Sequence, residues 1–99
     1  MKRFASKDPA EQVVLAFDFS GEASALTSPS VVIEHDSGDA DSNPPAMLSG
    51  MAQVDSGSAK VLQKVVGGID GANYVLRCTA TDESGLVRVR AGLLAVRKA

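Results

Sequence analysis

The order of apolar and polar residues along the chain predicts β-strands rather than helices. Apolar side chains stand at every second position between residues 12 and 19, and the same period of two returns between residues 73 and 81. Alternate side chains of an extended strand point to opposite faces, so this period indicates strands with one buried face. The predicted inward residues are Val13, Leu15, Phe17 and Phe19 in the first run and Tyr74, Leu76, Cys78 and Ala80 in the second.

The remaining segments bring the count to about seven strands. Turn residues separate them, and Pro29 marks either the beginning of a strand or a bulge. Residues 36–45 are mostly Gly, Asp, Ser, Asn and Pro, a composition that predicts a solvated loop. The additional strands are a short one near Phe4, a β-branched run over residues 30–34, a weak strand over 47–54, one over 59–66 whose inward face is ambiguous, and one over 86–96.

The sequence predicts a tight hairpin over Asp82–Gly85 between the last two strands. Its glycine can adopt a positive φ, and strand-like apolar runs lie on both sides of it. The alternation in the return strand predicts valines inside and arginines outside. The residues concerned are Val87 and Val89 on the inner face and Arg88 and Arg90 on the outer face. The leucines that follow break this phase, which predicts a β-bulge near Gly92.

Antiparallel hairpins without helices bury their apolar faces on each other, so the sequence predicts an all-β, immunoglobulin-like β-sandwich of about seven antiparallel strands. Tyr74 enters a late strand just after a glycine-containing corner, as in the tyrosine corner of such folds, where the hydroxyl bonds the backbone slightly upstream, here around Asp70. Cys78 follows Tyr74 by four positions rather than two, and the chain contains no Trp. The antibody type of domain is therefore not expected.

Ninety-nine residues suffice for one domain, which we assign to residues 8–99 after an arm over residues 1–7. This arm carries three bases and one large apolar residue, and we expect it to become ordered only on assembly. The single cysteine, Cys78, allows no intrachain disulfide, which fits synthesis in a reducing cytoplasm. We expect no signal peptide, because Asp8, Glu11 and Asp18 interrupt any apolar run after the charged start, and no membrane helix, because no apolar stretch approaches the roughly 18 residues that one needs.

Charge is distributed unevenly, since no Lys or Arg occurs between Lys7 and Lys60 while nine acidic residues lie in that interval. Two interpretations are open. Strands from both halves of the chain could interleave and mix the charges, or the surface could be bipolar and orient docking to a partner.

Four segments of the chain carry a recognisable pattern: Lys7-Asp8-Pro9 with Glu11, Leu15–Phe19, Gly67–Thr81 and a closing Leu94–Arg97. Together they resemble the small proteins known as phage fibre–tail adaptors, which occur in tailed bacteriophages and prophages. The resemblance extends from about Lys7 to Arg97, and its most specific part is the Gly-Gly-Ile-Asp-Gly block followed by Tyr-x-Leu-Arg-Cys. The acidic loop over residues 36–43 departs from the family pattern.

The resemblance implies a structural component of the virion, assembled in the bacterial host cytoplasm and placed in the phage tail where fibres or other appendages meet it. It implies phage tail and fibre proteins as partners and multiple copies in an oligomeric ring. From the composition we expect no contact with nucleic acid or membrane. The resemblance provides no catalytic motif, so we expect no enzymatic activity, catalytic residues, cofactor or metal. Because the acidic loop departs from the family pattern, the resemblance assigns it no shared binding surface.

Residues 39–43, Asp-Ala-Asp-Ser-Asn, match the first, third and fifth ligand positions of a calcium loop. The sixth position needs Gly and holds Pro44, and the twelfth needs Glu and holds Gly50. A solvated loop is therefore the preferred interpretation. His35 is the only histidine and no nucleophile elbow is present, which disfavours a Ser/His/Asp hydrolase and a zinc site.

The other candidate groups have simpler structural interpretations. Cys78 is predicted to pack in the core rather than to react, and the glycines of Gly67–Gly71 are predicted to form a tight corner rather than a phosphate loop, because a strand follows them. Five bases near the end could form a basic stripe, but four aromatics and a net charge of −2 disfavour nucleic-acid binding. These bases are Arg77, Arg88, Arg90, Arg97 and Lys98.

An immunoglobulin-like module that binds a ligand or carbohydrate is the alternative function. Carbohydrate platforms usually expose aromatic rings. The alternation directs Phe17, Phe19 and Tyr74 inward, so only Phe4 is left for such a role.

Overall fold

The computed structural model describes residues 1–55 and 57–99 and folds them into two β-sheets packed face to face. One 3₁₀ turn, Pro44–Met47, precedes the fourth strand. Within the described residues, no helix has the length and apolar composition to cross a bilayer. The strands are β1 (Lys2–Arg3), β2 (Val13–Asp18), β3 (Leu26–Gly38), β4 (Leu48–Asp55), β5 (Lys60–Val65), β6 (Ala72–Asp82) and β7 (Val87–Ala95).

The strand order confirms the predicted immunoglobulin-like sandwich. One sheet has the order β1-β7-β6-β3 and the other has the order β2-β5-β4. Every pair of strands is antiparallel except β1 and β7, which run parallel. The expectation of purely antiparallel strands is thus corrected at β1, which joins the sheet of the last strand.

The core lies between the sheets and contains the residues predicted from the alternation of β2 and β6. Tyr74, Leu76 and Cys78 are fully buried together with Phe17. The ambiguous strand β5 directs Val61, Gln63 and Val65 inward. Its one inward polar group is satisfied, because the side-chain amide of Gln63 donates to two backbone carbonyl groups, those of Gly50 at 3.2 Å and Lys64 at 2.9 Å.

Strand β3 is longer than the β-branched run predicted. Its pairing with β6 shifts in register between Thr27 and Ser30, so Pro29 lies in a bulge rather than at the beginning of the strand. The strand then continues to Gly38. The predicted loop over residues 36–45 is therefore corrected at both ends, because β3 occupies its first three residues and the 3₁₀ turn occupies its last two.

The predicted orientation of β7 is wrong. The β6–β7 pairing keeps one register throughout residues 73–95, all of which the structure describes, so the expected bulge near Gly92 does not occur. Arg88 lies opposite Ala80 and Arg90 lies opposite Cys78, which places both arginines on the inner face of the sheet. The valines between and before them point outward, with Val87 68% exposed and Val89 37% exposed.

The N-terminal arm is part of the sandwich. Strand β1 pairs with β7 at Gly92 and Leu93, and the ring of Phe4 lies edge-on to that of Phe17 with their centroids 5.5 Å apart. Phe4 is only 9% exposed. A side chain at position 92 would collide with the Phe4 ring, which explains the glycine there. The structure therefore packs the segment assigned as an arm against the domain, and its ordering only on assembly stays a prediction.

Candidate interaction surfaces

The strand order mixes the two halves of the chain and therefore their charges. Basic β5 lies between the acidic strands β2 and β4, so that Lys60 is in register with Asp18 on one side and Asp55 on the other. Late in the chain, Arg88 and Arg90 both form ion pairs with Glu22. Of the two interpretations of the charge pattern, the register supports mixing.

The inner-face arginines hold together one end of the sandwich. Arg88 donates from Nε to Asp82 at 3.0 Å and from Nη1 to Glu22 at 3.1 Å, while Arg90 donates to Glu22 at 2.8 Å and lies 5.1 Å above the ring of Phe19. A hydrogen bond from the Leu86 amide and the neighbouring Arg88 guanidinium lower the pKa of Asp82. These arginines do not share a face with Arg77, so the predicted basic stripe is wrong.

Arg97 and Lys98 also lie apart from that stripe. The Arg97 guanidinium donates to the carbonyl of Ala72 at 3.0 Å and to the side chain of Asn73 at 2.9 Å. The backbone amide of Lys98 donates to the carboxylate of Asp70 at 2.8 Å. Both residues therefore fasten the C-terminal segment to the beginning of β6.

The tyrosine corner is confirmed and is extended by an acidic residue. The backbone N–H of Ile69 donates to the Tyr74 hydroxyl at 3.0 Å, and that hydroxyl donates to Oδ2 of Asp41 at 2.8 Å. Burial raises the pKa of Tyr74, and the carboxylate of Asp41 adds to this effect. The role of Asp41 was missed in the sequence, because nothing in the pattern of the loop distinguishes it from its acidic neighbours.

The calcium-like motif is engaged in protein contacts. Oδ1 of Asp41 accepts a hydrogen bond from the backbone N–H of Asn43 at 2.9 Å, and the carboxylate of Asp39 packs against Gly71. Among the residues that the structure describes, no group of three or more His, Cys, Asp or Glu side chains could hold a metal ion. The preference for a loop without calcium stays a prediction.

Neither His35 nor Cys78 has the surroundings of a catalytic group. The His35 Nε2 atom lies 2.9 Å from the carbonyl oxygen of Asp39, and its ring stands edge-on to that of Tyr74 at 6.2 Å. Cys78 is fully buried, as predicted, and burial raises its pKa to about 11. Its thiol therefore stays protonated and inaccessible near neutral pH.

The glycine-rich segment forms the predicted corner before β6. Gly67, Gly68 and Gly71 have φ values of 63°, 99° and 90°, a region that favours glycine over other residues. A Cβ at Gly68 would also lie only 2.9 Å from side-chain atoms of Met47 and Val96. The corner therefore needs glycine both for its backbone conformation and for close packing.

On the side of the sandwich where β1 and β7 approach β2, basic side chains connect the two sheets by hydrogen bonds. Lys2 donates to the carbonyl of Ala16 at 3.4 Å and Arg90 donates to that of Asp18 at 3.2 Å, so carbonyl groups of β2 are occupied. Lys7 is 1% exposed, and its ammonium donates to the carbonyl of Gly67 at 2.6 Å and to that of Asp8 at 2.9 Å.

Burial lowers the pKa of Lys7, and the carboxylates of Glu11 and Asp8 partly oppose this effect. The two carbonyl hydrogen bonds satisfy the ammonium inside the protein. Lys7 is thus a structural element that ties the N-terminal segment to the glycine corner.

The outer face of the four-stranded sheet is largely apolar, and we call it the valine face. Val32 is 51% exposed, and Val87 and Val89 are exposed on the neighbouring part of the same face. Arg77 stands among these residues, in register with Val32 and Ala91. The valine face consists of Val32 and Glu34 on β3, Val75, Arg77, Thr79 and Thr81 on β6, and Val87, Val89, Ala91 and Leu93 on β7.

The outer face of the three-stranded sheet, which we call the methionine face, also exposes apolar side chains. Strand β4 bulges between Ser49 and Gln53, and Met51 projects from the bulge with 88% of its surface exposed. Exposed Val14 lies on β2 on the same side. A groove of about 300 Å³ runs between them. The methionine face consists of Val14, Ser49, Gly50, Met51, Gln53, Leu62 and Lys64.

Comparison of the chain with models of known protein families, with characterised proteins and with solved structures gave no significant match. The resemblance to fibre–tail adaptors therefore stays a prediction from sequence.

Proposed function

We propose that this protein is a non-catalytic structural adaptor of a bacteriophage tail, which links tail proteins to fibre or other appendage proteins. The observation that carries the proposal is the exposure of apolar side chains on both outer faces of the sandwich, represented by Val87 on one side and Met51 on the other. A connector needs two separate surfaces, and a sandwich holds two outer faces rigidly on opposite sides of one core. The sequence resemblance supplies the phage tail as the place where it acts.

Surface composition supports a protein partner on each face. Contiguous exposed apolar surface on a small soluble protein often marks an interaction site, because leaving it in water costs free energy that docking recovers. The chain is negatively charged overall and buries its aromatic rings, which disfavours nucleic acid as the partner. We therefore expect protein–protein contacts at both faces.

Ring burial also disfavours the alternative of a carbohydrate-binding module. The chain has four aromatic residues, and each is buried: Phe4, Phe17, Phe19 and Tyr74. Sugar rings usually stack on exposed aromatic side chains, and none of these four offers an accessible face. A structural adaptor is the better supported function.

Particle composition tests the proposal. We expect mass spectrometry of purified particles, from the phage or prophage whose genome encodes this chain, to detect the protein in a fixed ratio to a tail protein. Deleting its gene should yield particles that lack fibres or another appendage, and supplying the protein in trans should restore them. Absence from purified particles, or normal particles after deletion, would refute the adaptor function.

A further inference from the structure

We propose that the valine face binds another protein of the particle, whose docking surface presents aliphatic side chains around one carboxylate that pairs with Arg77. This inference rests on the proposed function and identifies the chemistry of one partner. The evidence for it is the contrast between Arg77 and the two arginines of β7, and the position of Arg77 among exposed valines.

Arg77 differs from Arg88 and Arg90 in its surroundings. Those two arginines lie on the inner face, and each forms an ion pair with Glu22. Arg77 is exposed on the outer face, and no carboxylate lies within ion-pair distance of it among the residues that the structure describes. Its register neighbours, Val32 and Ala91, are apolar and cannot pair with the guanidinium.

With aliphatic side chains, Val32 and Ala91, at both of its cross-strand positions, Arg77 has features of a binding hot spot. Protein interfaces concentrate their energy in a few central residues, among which arginine is enriched, and apolar neighbours exclude water from the charged pair. A partner carboxylate opposite Arg77 could accept two hydrogen bonds from the planar guanidinium. Lysine cannot offer this fork, so R77K should weaken binding and R77E should weaken it further.

The size of the face is adequate for one such contact within an assembly. Three strands of nine residues cover about 14 Å by 30 Å, or roughly 400 Å² in projection, from strand spacing and rise. This lies below the area of a standard stable interface, which buries about 800 Å² on each partner. We therefore expect a contact that is weak alone and gains strength from the other contacts of a multicopy particle.

Cysteine accessibility tests the proposal, because the native Cys78 is buried, with its pKa raised to about 11, and should not react with maleimide in the folded protein. We would compare V89C on the valine face with S84C at the exposed tip of the β6–β7 hairpin. Both should label rapidly in the free protein. In purified particles V89C should label at least about tenfold more slowly, while S84C should be protected much less.

Charge variants provide the second arm. R77E should reduce incorporation by about tenfold or more in competition with wild type, and R77K should reduce it less. The control S84E, at the exposed tip of the β6–β7 hairpin and outside both faces, should leave incorporation unchanged. Thermal unfolding of each variant should match wild type, because both side chains are exposed.

The outcomes separate this inference from the adaptor function. A protein that is present in particles but whose V89C labels as fast as in the free state would overturn the inference and leave the adaptor function standing. Absence from particles would overturn both. A dimer of the isolated protein in sedimentation that V89D abolishes would show that the face binds a second copy, and it would overturn the partner proposed here.

Discussion

Truncation of Phe4 tests whether the N-terminal segment belongs to the folded domain. The ring is 9% exposed, lies edge-on to Phe17 and covers Gly92. Replacing a buried Phe by Ala costs about 3–5 kcal/mol, and because Phe4 lies at the side of the sandwich we expect Phe4→Ala to cost about 3 kcal/mol. That is a large part of the roughly 5–15 kcal/mol that stabilises a domain of this size.

Urea unfolding followed by circular dichroism measures this loss. For a two-state domain the midpoint should fall while the slope with denaturant stays the same, and the melting temperature should drop by roughly 12–24 °C. Met1→Ala is the matched control, because Met1 is adjacent and 83% exposed, so it should change the free energy of unfolding by less than about 0.5 kcal/mol.

A double-mutant cycle identifies the contact itself. Phe4→Leu and Phe17→Leu, alone and together, should show a coupling free energy of about 0.5–1.5 kcal/mol, the range for an edge-to-face aromatic pair. If Phe4→Ala were as mild as Met1→Ala, the segment would not be docked in solution. That result would support an arm that orders on assembly.

Three further stability predictions concern buried polar and titratable groups. Tyr74→Phe should cost about 1–3 kcal/mol in denaturant unfolding, because the Ile69 amide loses its acceptor, and a change below about 0.5 kcal/mol would contradict the corner bond. The pKa of the Cys78 thiol is about 11 in the folded protein and about 9.0 in the unfolded chain. Between these pH values the thiol ionises only in the unfolded chain, which favours unfolding. Wild type should therefore lose stability relative to Cys78→Ala as the pH rises from about 9 to about 11. The difference in free energy of unfolding between the two proteins should fall by roughly 2–3 kcal/mol over that interval, and a constant difference would show that the thiol is accessible. Lys7→Ala should cost about 2 kcal/mol or more through loss of its two carbonyl hydrogen bonds, whereas the exposed Lys64→Ala should be nearly neutral; equal effects would show that Lys7 is solvated.

The local alternation of apolar and polar residues predicted burial correctly for a strand that has another strand on each side. Strand β6 lies between β7 and β3, so every inward position meets the opposite sheet and every outward position meets solvent. Its alternation therefore matches its burial, from Tyr74 to Ala80. The tyrosine corner followed from the same information, because the glycine corner and the Tyr are only a few residues apart.

Strand β7 shows where hydrophobic pattern alone misleads. Its valines looked like core residues, yet Val87 and Val89 face outward because Arg88 and Arg90 share the inner face with Leu94. The inner positions at that end accept arginine because Glu22, from a loop distant in sequence, neutralises both guanidinium groups. A local sequence pattern cannot predict an ion pair with a residue more than sixty positions away.

The sequence by itself therefore determined the class of fold, the strands and most of the core, because the period of two is a local property that burial of one face imposes. Tertiary structure alone decided that Phe4 and Lys7 are buried, that Asp41 completes the tyrosine corner, and that Arg77, on an exposed and largely apolar face, has no ion pair within the part of the chain that the structure describes. Each of these depends on contacts between segments far apart in the chain. Such contacts arise only when the two sheets pack, since packing determines which polar groups find partners and which apolar faces stay in solvent.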